Sequence, residues 1–149
     1  IRDLVRSRGL GDVYKRQDIY GIRLEFEGGF MEGIKDTGGK WKLRQNKGIE
    51  NAEKMSVNFA SAASVLAYTE YEERYKTGAA PERAAVLRST GMKIEVFGAD
   101  NNKIAEIYAQ YKESENGKIY VEPQAGGYIY KVDKSFINNM NIPGVEVRK

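Results

Sequence analysis

Few residue groupings in this chain could do chemistry. Glu70, Glu72 and Glu73, followed by Arg74, gather carboxylates of the kind that hold hard cations through oxygen. A cation site needs several ligands converging on one point, and on a helix these side chains diverge, so a solvated charged face is the expectation. The loop Gly98-Ala99-Asp100-Asn101-Asn102 sets oxygen-bearing side chains next to one another but lacks the alternating spacing and distal glutamate of an EF-hand. Asp-Asn-Asn is instead what a hairpin turn uses to reach left-handed backbone angles. The glycine pairs at 28–29, 38–39 and 126–127 fit neither phosphate-binding spacing with a helix behind it, and read as hairpins. Tyr108, Tyr111, Tyr120, Tyr128 and Tyr130 fall on adjacent strands and form the candidate interaction surface. Tyrosine gives a large amphipathic contact area for a protein or glycan, while the ordinary alternative is cross-strand aromatic pairing within the sheet.

The chain has no His and no Cys. This removes the usual zinc sites, thiol nucleophiles, disulfides and every Ser-His or Cys-His device together. An enzyme built from these residues would depend on Asp, Glu, Lys or Tyr, with two cooperating carboxylates in a cleft as its signature. No residue is assigned a catalytic, cofactor-binding or metal-binding role, and no cofactor is expected. A carboxylate-dependent hydrolase or transferase is the alternative to a non-catalytic module.

The sequence pI of about 9.0 would suit a polyanion partner. The charge is uneven, however. Residues 1–17 carry Arg2, Arg6, Arg8, Lys15 and Arg16 against Asp3 and Asp12, and beyond them basic and acidic residues are equal in number. A nucleic-acid partner is therefore not expected of the domain and would depend on this leader. The leader has no apolar core and no cleavage pattern of a signal peptide. Its run RGLGDVYKRQ resembles a translated sequencing-adapter tract found at the ends of unrelated metagenomic sequences. A disordered basic arm and a tether for nucleic acid or acidic lipid are the other readings.

From Asp18 onward one α+β domain extends to residue 149, a length suited to a single core. Ile22, Leu24 and Phe26 alternate with Arg23, Glu25 and Glu27, the period of a half-buried strand. Gly28-Gly29, a strand Phe30–Lys35, a turn at residues 36–39 and a strand Lys40–Arg44 complete a meander. Asn51 is placed to cap a helix carrying Met55, Phe59, Ala62, Ala63 and Leu66 on one face. The spacing of Tyr68, Tyr71 and Tyr75 extends that helix until Gly78 ends it. Pro81 opens a second helix through Leu87. Strands Met92–Phe97, Lys103–Tyr111, Lys118–Glu122 and Tyr128–Val132 form a second meander, and a short helix Lys134–Met140, capped by Asp133, closes the domain. The expected architecture is two antiparallel meanders flanking a central helical segment, as two sheets or one long sheet with helices on one face.

Three stretches carry a family resemblance: the opening Ile22-Arg23-Leu24-Glu25 strand, GGKWKL at 38–43, and GKIYVEPQAGGYIYKVDKSFINNM at 117–140. Over about residues 19–142 the chain resembles the bacterial domain of unknown function 4340. The resemblance implies a cell-envelope or periplasmic domain, anchored in the membrane by an N-terminal segment this chain does not contain. It further implies an accessory or protein-interaction role beside a membrane protein or transporter. It brings no functional residues with it, since its motifs are patterns of apolar and turn residues.

Overall fold

The structure is a computed structural model that describes residues 15–71, 73–76, 78, 80–122 and 127–148. Most of the leader, Glu72 and the expected turn at Gly126 therefore lie outside the described residues. The mixed α+β class expected from the sequence is present. Eight strands, β1 (Gly21–Phe26), β2 (Gly29–Lys35), β3 (Trp41–Lys47), β4 (Glu73–Lys76), β5 (Met92–Phe97), β6 (Lys103–Ala109), β7 (Lys118–Glu122) and β8 (Tyr128–Asp133), form a single antiparallel sheet. Its order is β3-β2-β1-β5-β6-β7-β8-β4. The two strand blocks are thus fused edge to edge through β1 and β5, where Leu24 lies opposite Ile94.

One face of this sheet makes the main core. Ile22, Leu24, Met31, Ile94, Val96, Ile107, Ile119 and Val121 are buried there. Over them pack α1 (Phe59–Tyr68), α3 (Ser135–Asn138) and the 3-10 turn Ala52–Val57. In α1 the buried residues Phe59, Ala62, Ala63 and Leu66 recur every three or four positions, and the small ones let the helix axis approach the sheet. Phe59 stacks on Trp41 with ring centroids 5.9 Å apart and fills the space over Gly33. Burial of one such ring stabilises the fold by about 2–3 kcal/mol.

Hairpin chemistry follows the residues. Glu27 and Gly28 both hold positive φ (51° and 79°), the pair of left-handed residues that a tight hairpin needs. Gly29, expected in the turn, instead begins β2, where any Cβ would lie 2.4 Å from the Lys47 carbonyl oxygen. Asn101 reaches φ 65° in the β5–β6 turn, as its Asp-Asn-Asn sequence suggests.

Two helical expectations need correcting. Asn51 does not cap a helix: it sits at φ 60° with no side-chain cap bond, and a 3-10 turn follows it. Tertiary ties interrupt the continuous apolar spacing here. The Ser56 hydroxyl accepts the Leu43 N–H (3.2 Å), and Asn58 Nδ2 donates to the Asn141 carbonyl (2.9 Å), so α1 begins only at Phe59. The helix also does not continue through Tyr75. It stops at Tyr68, Thr69 turns extended (ψ 131°), and β4 pairs with β8 in the register Arg74 opposite Tyr130 and Tyr75 opposite Ile129. Tyrosines three and four apart fit a helix, but beyond Tyr68 they face partners across a sheet edge. The second helix, α2 (Pro81–Thr90), runs one turn past its expected end. It covers the opposite face of the sheet over β5, β6 and β7. The closing helix is shorter than expected, though Phe136, Ile137 and Met140 point inward, and Asp133 Oδ2 accepts the Ser135 N–H at 2.9 Å.

Candidate functional site

The five tyrosines are placed by strand alternation, and they do not share one patch. Tyr120 faces α2 and is buried with Ala84, Leu87 and Ile129, with Tyr108 packed alongside. The Arg83 guanidinium lies 3.8 Å over the Tyr120 ring. Tyr128 and Tyr130 point to the other side of the sheet. Tyr130 meets Tyr71 edge-on at 4.7 Å, Tyr128 meets Tyr130 at 6.3 Å, and Arg74 lies 4.4 Å over Tyr128. Tyr111, just beyond β6, packs edge-on against Phe26 at 5.7 Å. Tyr111 and Tyr120 are buried, and Tyr108, Tyr128 and Tyr130 are half-buried. Aromatic pairs of this kind add about 0.5–1.5 kcal/mol beyond burial, so much of their contact area already serves the fold.

Burial pushes the Tyr108 and Tyr111 phenols above their usual range, helped by the Glu106 carboxylate beside Tyr108 and by Glu27 beside Tyr111. The folded state thus holds those protons more tightly than the unfolded chain. The associated stability is complete below about pH 10, the ordinary tyrosine value, and declines as pH rises through the raised folded values. Spectrophotometric titration should show part of the tyrosine absorbance rising late and together with unfolding. Replacing both residues with Phe should make the alkaline transition shallower.

A feature that the sequence pattern did not single out lies on the outward face of β3, β2, β1, β5 and β6. Arg44 reaches Glu32 (3.5 Å), Glu32 reaches Arg23 (3.6 Å), and Arg23 reaches Glu95 (3.4 Å). Lys103 then bridges Glu95 (3.1 Å) and Glu106 (2.6 Å), and Tyr108 donates to Glu106 at 2.8 Å. Arg23 also lies 3.8 Å over the Phe30 ring. The main-core helices pack on the opposite face and α2 on the β5–β7 end, so this array faces outward. Each member was visible in the sequence as the polar partner in an alternating strand. Their alignment depends on register between strands far apart in the chain, which alternation does not reveal.

The electrostatics of the array suit recognition better than proton transfer. Hydrogen bonds from the Lys103 ammonium and from Tyr108 hold the Glu106 carboxyl below its usual range, so it stays ionised. Glu106 and Glu95 hold the Lys103 amine above its usual value, which makes it a poor base or nucleophile. Among the described residues no group of three or more acidic side chains converges to hold a metal. Of the acidic cluster, Glu73 bonds the Tyr75 hydroxyl (2.9 Å) and pairs with Lys131 (3.6 Å), and Glu72 lies outside the described residues. The Gly98–Asn102 loop is a turn in which Asp100 accepts bonds from the Asn102 backbone and side chain.

Two further details complete the site. Arg88 of α2 donates twice to the fully buried Glu122, at 3.0 and 2.9 Å, and so fastens the helix to β7. Beside it, α2 and the connection from β6 to β7 enclose a cleft of about 300 Å³, partly lined by Tyr111 and Tyr120. No helix of the described residues is long and apolar enough to cross a membrane. Comparison of the chain with protein-family models, with curated proteins and with solved structures finds no match.

Proposed function

We propose that this domain is a non-catalytic accessory module of a cell-envelope membrane or transport complex, and that it binds a protein partner through the charged outward face of β3, β2, β1, β5 and β6. The outward array from Arg44 to Glu106 carries this reading. Its charges alternate in sign, so the complementary surface is one of mixed charge, as protein surfaces are, rather than a uniform polyanion. The ionisation states of Glu106 and Lys103 favour recognition over acid–base chemistry. The resemblance set out above supplies the envelope setting as part of the same proposal.

The test is affinity capture from detergent-solubilised membranes with the domain as bait, followed by binding to the purified partner. Reversing Arg23 and Lys103 to Glu should weaken the purified interaction at least tenfold, as expected where opposed charges meet like charges. Val57→Ser, an exposed change on the opposite side of the sheet, should leave it unchanged. Failure to retain any membrane protein, or equal binding by the reversed variant, would overturn the proposal.

A further inference from the structure

The cleft between α2 and the β6–β7 connection is independent of the charged face, and its chemistry differs. Its volume of about 300 Å³ is at the lower end of the range for small-ligand sites, about 300–1,000 Å³. From α2 come Arg83 and the apolar pair Val86 and Leu87, and Val86 is 57% exposed at the rim. From the opposite wall come Lys112, Glu113 and Glu115, with Tyr120 as the floor.

Two observations set the ligand. First, both signs of charge are present in equal number, Arg83 and Lys112 against Glu113 and Glu115. Second, the cations are only loosely ion-paired, with Arg83 resting over the Tyr120 ring and Lys112 near the Tyr111 ring. Arg83 is 3.7 Å from Glu115 and Lys112 is 3.6 Å from Glu27, beyond the ~2.7–2.9 Å of a charge-assisted hydrogen bond. Arg88, five residues further along α2, makes its pair at 2.9 Å. Glu113 has no ion pair among the described residues. Charges left in loose pairs around a partly apolar cleft can re-pair with an incoming group at little cost.

The wall is nonetheless rigid. Gln110 donates to the Glu113 carbonyl and accepts the Tyr120 N–H at 3.0 Å. The Arg148 backbone clamps the same stretch, donating to the Lys112 carbonyl and accepting the Ser114 N–H. A cleft held open in this way avoids the ordering cost that a mobile loop would add on binding.

We infer that this cleft binds a small zwitterion with an apolar side chain, of amino-acid to dipeptide size. The ligand carboxylate pairs with Arg83 and Lys112, its ammonium with Glu113, and its side chain covers Val86 and Leu87. Neither a polyanion nor a polycation suits the balanced rim.

The test is an amide NMR titration of the full chain with the dipeptide Leu-Leu and with its N-acetyl and C-amide forms. Saturable shifts should be confined to residues 83–90 and 110–120, with a dissociation constant on the order of 0.1–1 mM. Each blocked form should bind about tenfold more weakly, the cost of one lost charge-assisted contact. Arg83→Gln should abolish discrimination against the amide, and Glu113→Gln discrimination against the acetyl form. Shifts elsewhere, no shifts at about 10 mM peptide, or equal binding of the blocked forms would overturn the inference.

Discussion

Replacing Arg88 with Ala will destabilise the domain by about 2–4 kcal/mol, read as a lower urea midpoint with an unchanged slope. Glu122 is fully buried, and the variant removes the guanidinium that donates to both of its oxygens at 3.0 and 2.9 Å. Burying a carboxylate without its cation costs more than the pair itself returns, because the desolvation remains after the attraction has gone. The Arg88 side chain is 43% exposed, so water reaches that side of the pair and the loss falls below that of a fully enclosed bridge. The asymmetry provides a control. Arg88→Met combined with Glu122→Leu removes both charges and should recover most of the lost stability. A loss below about 1 kcal/mol for Arg88→Ala would mean the contact behaves as an ordinary surface pair. Because α2 otherwise buries only Ala84 and Leu87, loosening this clamp should also expose Tyr120 and Ile129, detectable as faster amide exchange in α2.

Gly33→Val should cost about 3 kcal/mol or more. A Cβ on Gly33 would lie 2.4 Å from the Phe59 ring, so the ring must leave its place in the core or the strand must shift. Overpacking of a dense core typically costs about 1–3 kcal/mol, and here Phe59 is also stacked on Trp41. Trp41 is the sole tryptophan, so its fluorescence reports the displacement directly. Gly38→Ala is the matched control. Its nearest contact is Asp36 Oδ1 at 3.3 Å on an exposed turn, and the change should stay within about 0.5 kcal/mol.

Strand positions were legible from the sequence wherever period two was clean. Ile22, Leu24 and Phe26 in β1, and Met92, Ile94 and Val96 in β5, all point to the core as their alternation requires. Local signals failed where tertiary partners decided the outcome. Tyr68, Tyr71 and Tyr75 satisfy helical spacing, yet β8 has an edge to fill, and Glu73–Lys76 fills it. Met55 and Phe59 share a helical face in principle, but the ties from Ser56 and Asn58 break the helix between them. The tyrosine cluster was visible as composition, whereas its division between two faces depends on strand phase. The ionic array was the least legible feature. Arg23, Glu32, Glu95 and Lys103 come from four strands, and only the pairing of β1 with β5 brings the two halves of the array together.

If this array is the surface a partner covers, lysine footprinting reads the coverage most directly. Lys42 lies on the charged face with its side chain 64% exposed, and Lys54 is exposed on the 3-10 turn of the other side. With solubilised membranes present, acetylation of Lys42 should slow severalfold while Lys54 reacts as before. Unchanged reactivity at both lysines, or protection confined to Lys54, would contradict it.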